Sequence, residues 1–163
     1  MRRFLPLILV LAALLLDISV VPILVSHWAV PSLSLCTVCV LGLLLGRTRG
    51  SLYGLIGGVL MDVLVGYPLG LKAVLYILSG YLCGVAGRKF QRYLLTVPVA
   101  PALCFILYEC TMIVYLFMAG RQFSGGDMLR TLGRIAIETL LCQFFYLWFN
   151  RMLRPKWSRY AAR

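Results

Sequence analysis

Six runs of apolar residues divide the chain, and short gaps rich in glycine, proline or charged residues separate them. A hydrocarbon core of about 30 Å takes roughly 20 apolar residues in a helix. The runs therefore predict six membrane-spanning helices, at residues 4–25, 30–46, 51–66, 71–87, 94–119 and 131–150. Because the connections are too short for another domain, residues 1–163 are expected to form a single membrane domain that ends in a basic cytoplasmic tail, residues 151–163.

The third run is shorter than a full crossing. Its sixteen residues, 51–66, include four glycines, and at about 1.5 Å per residue they do not reach across the core. If this run did not span, the basic loop at residues 88–92 and the basic tail would both lie outside, against the positive-inside rule. Six crossings are therefore expected.

Composition and charge agree with a membrane protein. The chain is 62% hydrophobic and only 13% charged, which is too apolar for the surface of a soluble domain. A net charge of +11 would suggest a nucleic-acid partner in a soluble protein, but here the basic residues are confined to gaps between apolar runs. With both termini in the cytoplasm, twelve of the sixteen Lys and Arg residues lie inside, and no nucleic-acid partner is expected.

Four of the five acidic residues fall inside predicted spans: Asp17, Asp62, Glu109 and Glu138. A charge facing lipid at mid-membrane costs about 2.5–3.5 kcal/mol or more, so these side chains are expected to face the bundle and are candidates for function. Glu138 follows Arg134 by one helical turn, which predicts an ion pair. Asp62 and Lys72 flank one short connection and are expected to be able to meet, whereas Asp17 and Glu109 have no partner evident in the sequence.

Glycines recur at a spacing of four residues. In the third span this places Gly54, Gly58, Asp62 and Gly66 on one stripe, and Gly80 and Gly84 give the fourth span a similar small surface. Faces without side chains allow a second helix to approach closely. The pattern predicts tight helix packing, either within the chain or with a partner.

The sequence offers little for catalysis or metal binding. All six cysteines lie in apolar segments, and Cys36 and Cys39 have no second thiol pair at zinc spacing. The only histidine, His27, lies in a predicted outer loop. Neither a metal nor a cofactor is expected, and no enzyme activity, although an intramembrane enzyme that uses Asp62 or Glu109 as an acid or base remains an alternative.

Residues 53–73 carry a combined motif: glycines, an aliphatic-Asp-aliphatic step around Asp62, and then Gly-x-x-Leu-Gly-x-Lys-Ala, which ends in Lys72 and Ala73. The motif resembles MreD, the membrane component of bacterial rod-shape systems, most clearly over residues 53–84. The resemblance adds to the packing or partner candidates the connection residues Gly66, Pro68, Gly70 and Lys72.

The resemblance implies a non-enzymatic scaffold or regulator of the cell-elongation machinery, which supports rod shape and lateral peptidoglycan synthesis from the bacterial cytoplasmic membrane. The implied partners are an MreC-like protein first, then MreB, RodA, a class B penicillin-binding protein and membrane lipids. The implied fold is a compact six-transmembrane-helix bundle similar to the substrate-binding subunits of energy-coupling-factor transporters. A vitamin-binding transporter subunit is therefore an alternative, although the first span, with only the adjacent Ala12 and Ala13, lacks the Ala-x-x-x-Ala docking pattern.

Overall fold

Six α-helices make up the described part of the chain, which in the computed structural model comprises residues 5–19, 32–65, 70–89, 96–120 and 125–157. These residues contain no strand, so the prediction of an all-α protein is confirmed for them. The helices, numbered in chain order, are α1 Leu5–Ser19, α2 Leu33–Leu45, α3 Arg47–Val65, α4 Leu71–Lys89, α5 Thr96–Met118 and α6 Gly125–Trp157.

Helix α2 is the centre of the structure. Its sequence has no charged residue and is apolar on every side, as expected for a helix that is buried all round. Ten consecutive residues, from Ser34 to Leu43, are buried, and α2 contacts each of the other five helices. Those five helices follow one another around it in chain order, each in contact with the next.

Glycines bring the backbones of α3 and α4 into direct contact. A Cβ atom added at Gly58 would lie 2.5 Å from the Cα atom of Ala73, and one added at Gly54 would overlap the carbonyl oxygen of Tyr76. From the other side, a Cβ atom at Gly80 would overlap the carbonyl oxygen of Gly50. Gly54 and Gly58 of the glycine stripe are therefore covered by helix α4 of the same chain.

Gly46 alone joins α2 to α3. Its φ of 87° lies in the region that glycine adopts most readily, so the chain reverses direction without a longer loop. Gly84 leaves room for this turn, because a Cβ atom there would overlap the backbone of Arg47. Residues 47–50, which lie between the second and third predicted spans, form the first turn of α3. This helix is 19 residues long and extends about 28 Å.

Helix α6 is longer than the sequence pattern predicted. Its 33 residues extend about 50 Å, beginning before the expected span at 131–150 and continuing through Trp157. Residues 151–157 of the expected basic tail therefore continue helix α6. The ends of α4 and α5 lie within two residues of the expected spans.

Within the described residues, two helical segments are long and apolar enough to cross a membrane, Pro98–Tyr115 and Arg130–Phe149. Three shorter apolar helices accompany them, at residues 6–19, 33–45 and 71–87. Large apolar side chains point outward from the helices around α2, including Leu15, Val63, Phe117 and Leu140. Such a surface suits lipid contact, while the number of crossings stays a prediction.

Replacing Gly58 by alanine is expected to lower the free energy of unfolding by about 1–3 kcal/mol, because the added methyl group overlaps the backbone of Ala73. Gly133→Ala on α6 is the matched control, since a Cβ atom at Gly133 meets nothing within 4 Å. Denaturant unfolding in detergent micelles measures both variants. Equal stability of G58A and the original chain would contradict the backbone contact between α3 and α4.

Candidate functional site

The amino end of α2 is held by a carboxylate from α1. Asp17 accepts hydrogen bonds from the backbone N–H groups of Leu33, at 2.7 Å, and Ser34, at 2.8 Å. The Ser34 hydroxyl also donates to Asp17 and lies 2.8 Å from the Tyr76 hydroxyl of α4. The first N–H groups of a helix lack partners within it, and a carboxylate there also interacts favourably with the helix dipole. Asp17 thus supplies the cap and ties α1 to α2.

A second carboxylate, Glu138 of α6, reaches the same end of α2. Glu138 Oε1 accepts a hydrogen bond from the backbone N–H of Ser32 at 2.9 Å and one from Arg134 Nε at 3.1 Å. Arg134 also donates from Nη2 to the Ser32 hydroxyl at 3.1 Å. These contacts explain why the Ser32 side chain, at the N-cap position, makes no capping hydrogen bond of its own.

Arg134 links α6 to α5 as well. Its Nη1 atom lies 3.2 Å from Glu109 Oε1, which forms an ion pair between the two helices. The Glu138 side chain is fully buried, whereas the Arg134 side chain is 26% exposed. We call the group Asp17, Ser32, Ser34, Tyr76, Glu109, Arg134 and Glu138 the cap cluster. It contains three carboxylates and one guanidinium, and it joins α1, α2, α4, α5 and α6.

Asp62 caps the amino end of α4. Its Oδ2 atom accepts hydrogen bonds from the backbone N–H groups of Gly70, at 3.0 Å, and Ala73, at 2.9 Å. Lys72, which is also buried, attracts Asp62 electrostatically, while the backbone N–H groups of Gly70 and Ala73 hydrogen-bond this carboxylate. Gly70 has a φ of 87° and is exposed, which accounts for glycine at this turn. Gly66 and Pro68 lie outside the described residues.

The structure gives each acidic candidate a place. Glu138 forms the ion pair with Arg134 that the sequence predicted, and the same arginine is the partner of Glu109 that the sequence did not reveal. Sequence reasoning missed Ser32, Ser34 and Tyr76. A serine just before an apolar helix is a capping signal that points to Ser32. Ser34 and Tyr76 are placed in the site only by the fold.

Three buried thiols also come together. Cys39 of α2, Cys83 of α4 and Cys104 of α5 have sulfur atoms within 4.8 Å of one another. The sequence predicted no metal site, because no second thiol pair follows Cys36 and Cys39 at zinc spacing. In the structure Cys39 instead meets one thiol from each of two other helices.

A buried polar centre inside helices with apolar outer surfaces fits the class of helical membrane proteins. A family model described as rod shape-determining protein MreD matches residues 1–156, and the chain belongs to this family. The resemblance inferred from residues 53–84 is thereby confirmed, and with it a role in rod-shape determination as a membrane protein. No curated relative and no solved structure matches the chain. The likeness to substrate-binding subunits of vitamin transporters therefore stays a prediction.

Replacing Arg134 by glutamine is expected to destabilise the protein by about 3–5 kcal/mol, because Glu138 would be left buried without its charged partner. The double variant R134Q/E138Q is expected to lose less stability than the sum of the losses in the two single variants. Arg47→Gln, on the exposed side chain that begins α3, is the control for removing one positive charge. Additive losses in the double variant would contradict a coupled cap cluster.

Proposed function

We propose that this chain is a non-enzymatic membrane scaffold of the bacterial cell-elongation machinery. In this proposal it supports rod shape and lateral peptidoglycan synthesis through helix-helix contacts with partner membrane proteins. It lies in the cytoplasmic membrane as a multi-pass protein with both termini in the cytoplasm, in keeping with its basic residues. An MreC-like protein is the principal partner, and MreB, RodA and a class B penicillin-binding protein belong to the same machinery.

The observation that carries this proposal is that the buried acidic side chains bind groups of the same chain. Asp17 and Asp62 bind the backbone at the starts of α2 and α4, and Glu109 and Glu138 pair with Arg134. Acid-base catalysis needs a carboxylate within reach of a substrate proton. Carboxylates that hold helix ends and a partly buried arginine favour a structural role.

The outward surfaces of the helices are the surfaces available for contact with a partner protein. The glycine faces of α3 and α4 are covered by each other, so they support packing within the chain. Outward apolar side chains remain along α1, α3, α4, α5 and α6. Without a hydrophobic driving force between helices in lipid, association there rests on close side-chain packing. A partner helix is therefore proposed to lie against one of these outward faces.

A photocrosslinking scan in living cells tests the partner contact. A photoreactive amino acid is placed one position at a time at outward residues on each outer helix and at buried residues on α1, α5 and α6. Crosslinks to the MreC-like protein are expected from one contiguous outward face, because only those side chains reach a neighbouring helix. The outward positions are Leu15, Leu55, Tyr81, Phe117 and Phe144, and the buried control positions are Leu14, Phe105 and Phe149.

Phe144 and Phe149 form the sharpest matched pair, since both lie on α6 and their exposed fractions are 67% and 2%. Each substituted chain must first restore rod shape to cells depleted of the original protein, which shows that the variant still works. Crosslinks only to lipid from every outward position, in cells that keep their rod shape, would contradict the scaffold proposal.

A further inference from the structure

Three thiols from three different helices converge in the interior of the bundle. Cys39 and Cys83 are fully buried and Cys104 is nearly so. Their sulfur atoms lie within 4.8 Å of one another, and those of Cys83 and Cys104 are 3.6 Å apart. Because the cysteines belong to α2, α4 and α5, folding alone brings them together.

The spacing fits one metal ion bound at the centre of the three sulfur atoms. Sulfur atoms placed about 2.3 Å from a central ion in one plane lie about 4 Å from one another. One pair of sulfur atoms is 3.6 Å apart and all three lie within 4.8 Å of one another, which is compatible with this value. The geometry therefore suits a trigonal site.

The donor set selects a soft ion. The cluster offers sulfur alone, without a carboxylate or imidazole, and thiolate ligands select Cu(I), zinc or iron-sulfur clusters over harder ions. Structural zinc almost always takes four ligands, whereas three sulfur atoms are available here. A monovalent ion also needs only one thiolate for neutrality, which matters in an apolar interior that disfavours net charge.

The other described cysteines behave differently. Cys36 donates to the backbone carbonyl of Glu138 at 3.6 Å, and Cys142 donates to that of Cys36 at 3.8 Å. Cys110 is exposed. Cys104 also donates to the backbone carbonyl of Ser79 at 3.8 Å. What distinguishes Cys39, Cys83 and Cys104 is that their sulfur atoms lie close to one another. We propose that these three cysteines form a binding site for Cu(I), which links α2, α4 and α5 at the core of the protein.

Copper binding by the full-length protein in detergent micelles tests this proposal. Cu(I) is supplied without oxygen, together with a reductant and a competing Cu(I) chelator, and each bound ion displaces one thiol proton, which keeps the site neutral. One Cu(I) ion per chain is expected. Cys39→Ser, Cys83→Ser and Cys104→Ser are each expected to weaken binding by about 100-fold or more, since a hydroxyl is a poor ligand for a soft ion.

Cys36→Ser and Cys110→Ser are the matched controls, one buried and one exposed, and both are expected to bind copper as the original chain does. X-ray absorption of the copper-loaded original chain is expected to show a shell of three sulfur atoms, and this measurement does not depend on the variants folding. Less than stoichiometric copper, a different ligand shell, equal losses in the control variants, or preferential binding of Zn²⁺ would each overturn the proposal.

Discussion

The amino end of α2 lies inside the protein, where its free backbone N–H groups need hydrogen-bond acceptors that neither water nor lipid supplies. Asp17 accepts hydrogen bonds from the N–H groups of Leu33 and Ser34, and Glu138 accepts one from the N–H group of Ser32. Because these carboxylates come from α1 and α6, the capping of one central helix fixes the positions of two others. The remaining members of the cap cluster follow, since a buried Glu138 needs Arg134, and Arg134 in turn holds Glu109.

Backbone contact holds helices α3 and α4 together. Gly54 and Gly58 of α3 meet the backbone of α4 at Tyr76 and Ala73, and Asp62 closes the same helix pair by capping α4. Tyr76 joins the α3–α4 pair to the cap cluster. It packs against the glycine face of α3, and its hydroxyl contacts Ser34 in the cap cluster. The family motif at residues 53–73 thus builds the helix pair on which the cap cluster rests.

Contacts within one helix were predictable from the sequence, and contacts between distant helices were not. Arg134 and Glu138 are one turn apart on α6, so their pairing follows from helix geometry. The spacing of Gly54 and Gly58 predicted a close approach, but only the fold shows that α4 covers them. Cys39, Cys83 and Cys104 contribute one thiol per helix, and sequence patterns for metal sites rely on pairs of nearby ligands. The length of α6 was missed because charged residues end an apolar run without ending a helix.

Amide hydrogen exchange at Leu33 and Ser34 tests the central claim most directly. Amides in the first turn of a helix ordinarily exchange quickly because they lack partners in the helix, so protection there reports the cap. In the original chain both amides are expected to be protected, and in Asp17→Ala both are expected to exchange faster. Ser19→Ala, an exposed change on the same helix, should leave them unchanged. Equal protection in Asp17→Ala and the original chain would contradict the account.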